Sequence, residues 1–275
     1  MRRFDFGRGT AIVTGAAGGI GEQLAYQLAG RGMPLAVIDR DADRLDRVVA
    51  ELRRRTAVTS YVVDLADEPA TRDLATRLAY RHPDCTLMIN NAGVALHGGF
   101  EQVTAEEFDW VQAINLRAVI TLTRALVPVL RTQHGSHLVN LSSLFGLIAP
   151  AGNVAYCTSK FAVRGFTEAL RAELAPDIGV TVVHPGGIRT GIAGSARRAA
   201  ALPADTSEAE LRAFDRLLTF PADRAAALII RAVERRKPRL LIGATATLPD
   251  LVARVSPAHY SDALSALHRI FTRRS

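Results

Sequence analysis

The chain has 275 residues, 48% of them hydrophobic and 22% charged, enough for one large α/β domain with a buried core and too apolar for wholesale disorder. Its two cysteines, Cys85 and Cys157, exclude a disulfide scaffold and a four-cysteine zinc module, and make a reducing cytoplasm the expected compartment. A formal charge of +7 raises the question of nucleic acid, but the tightest basic clusters, Arg53–Arg55, Arg235–Lys237 and Arg273–Arg274, fall at the ends of expected helices, so no nucleic-acid partner is expected.

Short apolar runs alternate with amphipathic segments along the whole chain. The expected strands are Ala11–Val13, Leu35–Ile38, Ala57–Val63, Leu87–Ile89, His137–Leu141, Val180–Val183 and Arg239–Ile242. They are rich in Val, Ile and Leu without clean alternation, as strands covered on both faces should be. Thr104 with Glu107, and Ser207 with Glu210, have the spacing of capping boxes at helix starts. Repeated β-α-β order predicts an α/β, doubly wound, seven-stranded parallel sheet with helices on both faces, as one domain over 1–275. Arg2-Arg3 has no apolar stretch behind it long enough for a signal. Residues 132–159 lack Asp, Glu, Lys and Arg, but His134, His137, Asn140, Ser142, Ser143 and Asn153 argue against a membrane span. Ligands of such sheets bind beyond the carboxyl ends of the strands, so residues just after each strand are the functional candidates.

The first strand runs into Thr14-Gly15-Ala16-Ala17-Gly18-Gly19-Ile20-Gly21. Glycines let backbone amides approach a pyrophosphate, and the following helix N-terminus favours its charge; the bland alternative is a tight turn and no more. No Gly-Lys-Ser/Thr follows, which disfavours NTP hydrolysis. Asp39 ends the second strand, where a carboxylate accepts both hydroxyls of an adenosine ribose or, alternatively, caps the next helix. Its charge repels a 2′-phosphate and favours NAD over NADP, although Arg40 and Arg44 stand close enough to hold a phosphate.

Tyr156 and Lys160 stand four residues apart on one face of an expected helix. A free phenol, with a pKa of about 10, is a poor base at neutral pH; lowering it by ~3 units takes ~4 kcal/mol of differential interaction. A neighbouring ammonium is expected to work in that direction. Lys160 and Lys237 are the only lysines among 34 basic residues, and a compact ammonium suits this role better than a guanidinium.

The match goes well beyond that pair. Besides Thr14–Gly21, the chain carries Asp64-Leu65, Asn90-Asn91-Ala92-Gly93, Asn115, Ser143 placed 13 residues before Tyr156, and Pro185-Gly186 through Ile188 and Thr190, all in order. Over about residues 8 to 191, with weaker similarity to about 243, it resembles the single-domain branch of the short-chain dehydrogenase/reductase family. That resemblance implies a Rossmann-type fold and a dinucleotide held by Thr14, Gly15, Gly19, Ile20, Gly21, Asp39, Arg40, Asp64, Leu65, Asn91, Ala92, Gly93, Tyr156, Lys160, Pro185, Gly186, Ile188 and Thr190. It implies that Tyr156 exchanges the substrate proton and Ser143 hydrogen-bonds the reacting oxygen. Lys160 tunes Tyr156, and Asn115 holds a water leading to solvent. It also implies a homodimer or homotetramer. Ser142 is an equally available hydroxyl, distinguished from Ser143 only by spacing. Asn115 and Asp64 have bland readings, as a backbone bridge and a helix cap.

The expected reaction is hydride transfer between NAD(H) and an uncharged, fairly hydrophobic secondary alcohol or ketone. The alternatives are an NADPH-dependent carbonyl reductase with the same site and a dinucleotide sensor without turnover. The expected pocket residues are Val94, Leu96, Phe145, Leu147, Ile148, Val154, Ile188 and Ile192, with Arg189 an undecided charge and His97 a candidate substrate contact. No metal site is expected, because His134 and His137 lack a third ligand; Cys157 and His184 read as structural. Residues 191–220, Ala- and Gly-rich at first, suit a substrate lid. Residues 245–275 form a C-terminal helical extension whose Tyr260, Leu264, Leu267 and Phe271 read as core or subunit packing rather than peripheral membrane contact.

Overall fold

A computed structural model describes residues 3–190, 196–202 and 218–261. Seven strands, β1 (Thr10–Thr14), β2 (Leu35–Asp39), β3 (Val58–Val62), β4 (Cys85–Asn90), β5 (His137–Leu141), β6 (Gly179–Pro185) and β7 (Arg239–Ile242), form one parallel sheet. Its order is β3-β2-β1-β4-β5-β6-β7. All seven expected strands are present, with ends shifted by a residue or two. This is the doubly wound Rossmann-type architecture, and its strand order reverses between β1 and β4.

Every residue of β1, β4 and β5 is buried, which explains why their apolar residues show no clean alternation. The two-residue period then sorts side chains between two cores. Ala11 and Val13 pack with helices α1 (Gly19–Ala29), α2 (Ala42–Leu52) and α7 (Ala222–Glu234). Ile12 points the other way, towards α3 (Glu68–Arg81) and α5 (Ala118–Thr132). The edge strand β3 differs: Tyr61 is buried while Val62 is 54% exposed, because only one of its faces is covered.

Local chemistry fixes the helix starts. Asp41 accepts from the Arg44 amide and Asp67 from the Ala70 amide, capping α2 and α3. The expected box at Thr104 and Glu107 closes reciprocally at the head of α4 (Ala105–Gln112); Ser207 and Glu210 lie outside the described residues. Between α4 and α5 the chain makes a π-helical turn, Ala113–Arg117, that no sequence pattern announced. The run Ala105–Thr132 is apolar and long enough to cross a membrane, but α5 spends its apolar face, Leu122, Leu126 and Leu130, on the core. Residues 132–159 divide into the end of α5, β5, a 3-10 turn (Leu144–Gly146) and the start of α6 (Val154–Leu174). The last described helix, α8 (Ala244–Val255), packs against β7 and that 3-10 turn. In the basic triplet after α2, Arg54 and Arg55 pair with Glu51 at a solvated helix end.

Candidate active site

The carboxyl ends of β1 and β4 are stitched together. Thr14 Oγ1 accepts from the Asn91 and Ala92 amides, both at 3.0 Å, and Asn91 Nδ2 donates to the carbonyls of Thr14 (2.9 Å) and Gly15 (3.1 Å). The glycine turn is therefore held from below by the Asn-Asn-Ala-Gly turn. Gly15 adopts φ +68°, and a Cβ on Gly21 would stand 2.0 Å from the Gly15 carbonyl oxygen, so neither position admits a side chain. A Cβ on Gly18 meets nothing within 4 Å, and no side chain caps the head of α1. The head of α1 thus has no side-chain cap among the described residues, which fits a phosphate group. Gly19 lies against the Thr190 side chain, bringing the segment after Pro185 to the same rim. Ile20 packs into the core beneath it.

Asp39 Oδ2 accepts from the Ala17 amide at 2.9 Å, and Oδ1 from the Asp41 amide. The cap of α2 is Asp41, so Asp39 is left facing the glycine turn. Arg40 approaches Asp64 at 3.9 Å, and Arg44 pairs with Asp41 at 3.3 Å; such half-exposed pairs are weak and easily released. Asp64 accepts from the Ala66 amide, while Asp67 caps α3, and Leu65 is buried beside them. Gly186 donates to the Ile242 carbonyl and Ile188 is buried, fixing the turn after β6.

On α6, Tyr156 stands beside Ser143, whose hydroxyl favours the phenolate, and Phe145 meets the Tyr156 ring edge to face at 5.9 Å. Ser142 turns away and donates to the Lys160 carbonyl, so geometry as well as spacing separates the two serines. Lys160 is buried; its Nζ donates to the Leu141 carbonyl at 3.1 Å and stands 5.6 Å from the Tyr156 ring centre. Asn115, in the π-helical turn, exchanges hydrogen bonds with the Val94 backbone and donates to Ser159 Oγ. Gly93 lies between the two polar groups: a Cβ there would sit 3.2 Å from Asn115 Oδ1 and 3.3 Å from Lys160 Nζ.

One expectation is corrected here. Burial pushes the Tyr156 phenol up, to about 12, against the pull of the Ser143 hydrogen bond, and pushes Lys160 down, to about 8. In the protein alone, desolvation is the largest influence on both groups. The pocket also differs in part. Leu96 is a core residue, packed with Val111 and Ala155, and Leu147 and Ile148 are buried, while Val94, Phe145 and Val154 are partly exposed. Arg189 is exposed and donates to the Thr219 carbonyl. Ile192 lies outside the described residues.

Three features had escaped the sequence. Residues Leu96–His97 pair with Arg197–Arg198 in a short parallel ladder. Arg197 lies 3.9 Å from the centre of the Trp110 ring, and Ala200 donates to Glu107 Oε1. Tyr260 accepts from the Ala149 amide, tying the C-terminal extension to the loop that follows Ser143; Leu264, Leu267 and Phe271 lie outside the described residues. A helix-start carboxylate such as Glu107 was the one available signal.

Glycine turn, strand-end carboxylate and a Ser-Tyr-Lys set backed by a buried lysine together define a Rossmann-type oxidoreductase. The family model for short chain dehydrogenases matches residues 9–201, and the chain belongs to that family. It is 34% identical over 261 residues, 93% of this chain and 94% of the relative, to the Mycobacterium tuberculosis protein SadH. Among solved structures, a short chain dehydrogenase/reductase from Burkholderia phymatum in complex with NAD superposes with TM-score 0.81 at 29% identity, covering 96% of this chain and 97% of the other. A short-chain dehydrogenase from Sphingobium yanoikuyae in complex with NADPH gives TM-score 0.74 at 29% identity, covering 96% and 95%.

Proposed function

We propose that this chain transfers hydride between NAD(H) and an uncharged, fairly hydrophobic secondary alcohol or ketone. The observation that carries the reading is the convergence of Ser143 and Tyr156, with Lys160 buried behind them, beyond the same strand ends as the open glycine turn. The nicotinamide ring supplies or accepts the hydride. Tyr156 Oη exchanges the proton of the reacting oxygen, and Ser143 Oγ donates a hydrogen bond to that oxygen as charge develops. The Lys160 ammonium reaches the ribose and stabilises the phenolate. Asn115 and Lys160, converging over Gly93, frame the place of a relay water. Residues 191–220 act as the lid, with the Arg197–Trp110 contact as support at its described part.

Asp39 accepts the adenosine ribose hydroxyls and selects NAD; the adjacent Arg40 and Arg44 favour the second reading, NADPH. Dissociation constants for NADH and NADPH, followed by a ketone and alcohol panel, decide between them. Preference for NADPH would overturn the Asp39 assignment, and best turnover of short polyols or charged acids would overturn the substrate class. Two free thiols, Cys85 and Cys157, support a reducing cytoplasm. A homodimer or homotetramer is supported by exposed Phe161 on α6 and by Leu248, Leu251 and Val255 on α8; sedimentation as a monomer would refute it.

A further inference from the structure

His184 stands on β6, one residue before Pro185, and is fully buried. Val183 enters the core beside α7, so the strand period turns His184 to the opposite face of the sheet. There its Nδ1 lies 3.0 Å from the main-chain carbonyl oxygen of Ser143. A carbonyl only accepts, so Nδ1 carries the proton and Nε2 is left as an acceptor. Nε2 is buried with no hydrogen-bond partner among the described residues. An apolar side chain would fill the same space without stranding a polar atom, so the imidazole has no purely packing rationale.

What the imidazole holds is specific. The Ser143 carbonyl accepts from the Gly146 amide at 3.0 Å as well as from His184, while Ser143 Oγ accepts from the Phe145 amide at 3.1 Å. Ser143 is thereby fixed by two amides of the 3-10 turn and by the neighbouring strand. We infer that His184 is a positioning residue, whose Nδ1–H clamps the Ser143 backbone so that the Ser143 hydroxyl stays against Tyr156. The inference rests on the catalytic reading of Ser143 given above.

Charged groups close in on the imidazole from three elements: Arg239 on β7, Arg164 on α6, and Asp250 on α8, whose carboxylate is paired with Arg239 and Arg254. Burial, then the two arginines, push His184 down to about 4, while the Ser143 bond and Asp250 pull upward. The neutral ring and the imidazolium both carry Nδ1–H, so the clamp does not depend on the protonation of Nε2.

The test compares H184N, H184Q and H184L in the wild-type and S143A backgrounds. Asn places an amide donor where Nδ1 stands; Gln places it where Nε2 stands. H184L and H184Q should lower kcat about tenfold, the worth of one lost positioning hydrogen bond, with dinucleotide affinity and KM little changed. H184N should stay within about threefold of wild type, and in the S143A background H184L should add no further loss. Equal losses in H184N and H184L, or a full additional loss in S143A, would overturn the inference. Histidine 15N shifts of the wild-type protein give a second reading that needs no substrate. They should show a ring protonated at Nδ1 at neutral pH; a neutral ring carrying its proton on Nε2 would refute the clamp. Wild-type protein that turned over nothing on the panel would instead refute the functional proposal, leaving the 15N measurement to decide on the clamp.

Discussion

Of the buried histidines His82, His137 and His184, the last two are pushed furthest down and should make the fold acid-sensitive in a window where carboxylates are still ionised. His137 begins β5, with Nε2 at 2.7 Å from Thr181 Oγ1; that hydroxyl donates to the Lys237 carbonyl, so Nε2 carries the proton. Its Nδ1 is buried without a hydrogen-bond partner among the described residues. Burial, aided by Arg236, pushes its pKa from 6.5 to about 3, and His184 is pushed to about 4. Both folded values are depressed. The unfolded chain therefore takes up protons as pH falls through about 6.5 while the folded chain does not, and stability falls with pH down to the folded values. At full development the losses are about 5 kcal/mol for His137 and about 3 kcal/mol for His184, both upper limits. The slope approaches ~1.4 kcal/mol per pH unit for each group, against a total stability of roughly 5–15 kcal/mol. Urea unfolding at several values between about pH 7.5 and 5 measures it directly, staying above the carboxylate range. His137→Gln keeps a donor for Thr181 and removes the titrating group, so its slope should drop by about half. Flat stability across this window, or an unchanged slope in His137→Gln, would show that these rings protonate freely in the native state and would refute the burial argument.

Gly21→Ala should abolish measurable dinucleotide binding and lower the melting temperature, because its Cβ meets the Gly15 carbonyl at 2.0 Å; Gly18→Ala, facing open space, should leave both close to wild type. Calorimetric titration of each variant with NADH checks the contrast. Tyr156→Phe should cut kcat by about 10²–10⁴ without weakening NADH binding, as loss of a general acid–base group requires, and steady-state kinetics beside direct binding separate the two effects. Arg197→Ala removes a cation 3.9 Å from the ring of Trp110, the chain's single tryptophan. Its intrinsic emission should change and KM rise about two- to fivefold, the worth of an exposed cation–π contact.

Sequence patterning was most legible where one physical constraint acts along the chain. The sheet could be read because strands buried on both faces are mostly apolar, and β1, β4 and β5, buried at every position, keep short Val, Ile, Leu and Met runs between a few polar residues such as Thr14, Asn90 and Asn140. The dinucleotide end could be read because a side-chain-free approach to a helix N-terminus demands glycine, as at Gly15 and Gly21. The Thr104–Glu107 box was visible for the same reason, since both halves of its chemistry sit within one turn.

What stayed hidden depends on groups far apart in sequence. The π-helical turn at Ala113–Arg117 carries Asn115 to Val94 and Ser159, yet its i→i+5 bonding has no compositional mark. The Tyr156–Lys160 pair shows the limit more sharply. Spacing alone predicts an ammonium that lowers a phenol's pKa, because it reports separation and not dielectric. Burial reverses the outcome for both groups, to about 12 for Tyr156 and about 8 for Lys160. A site poised this way resists losing the tyrosine proton until another positive charge arrives beside it. A bound oxidised nicotinamide would supply such a charge, and the proposed base strength at Tyr156 would then depend on occupancy of the neighbouring glycine rim rather than on the helix alone.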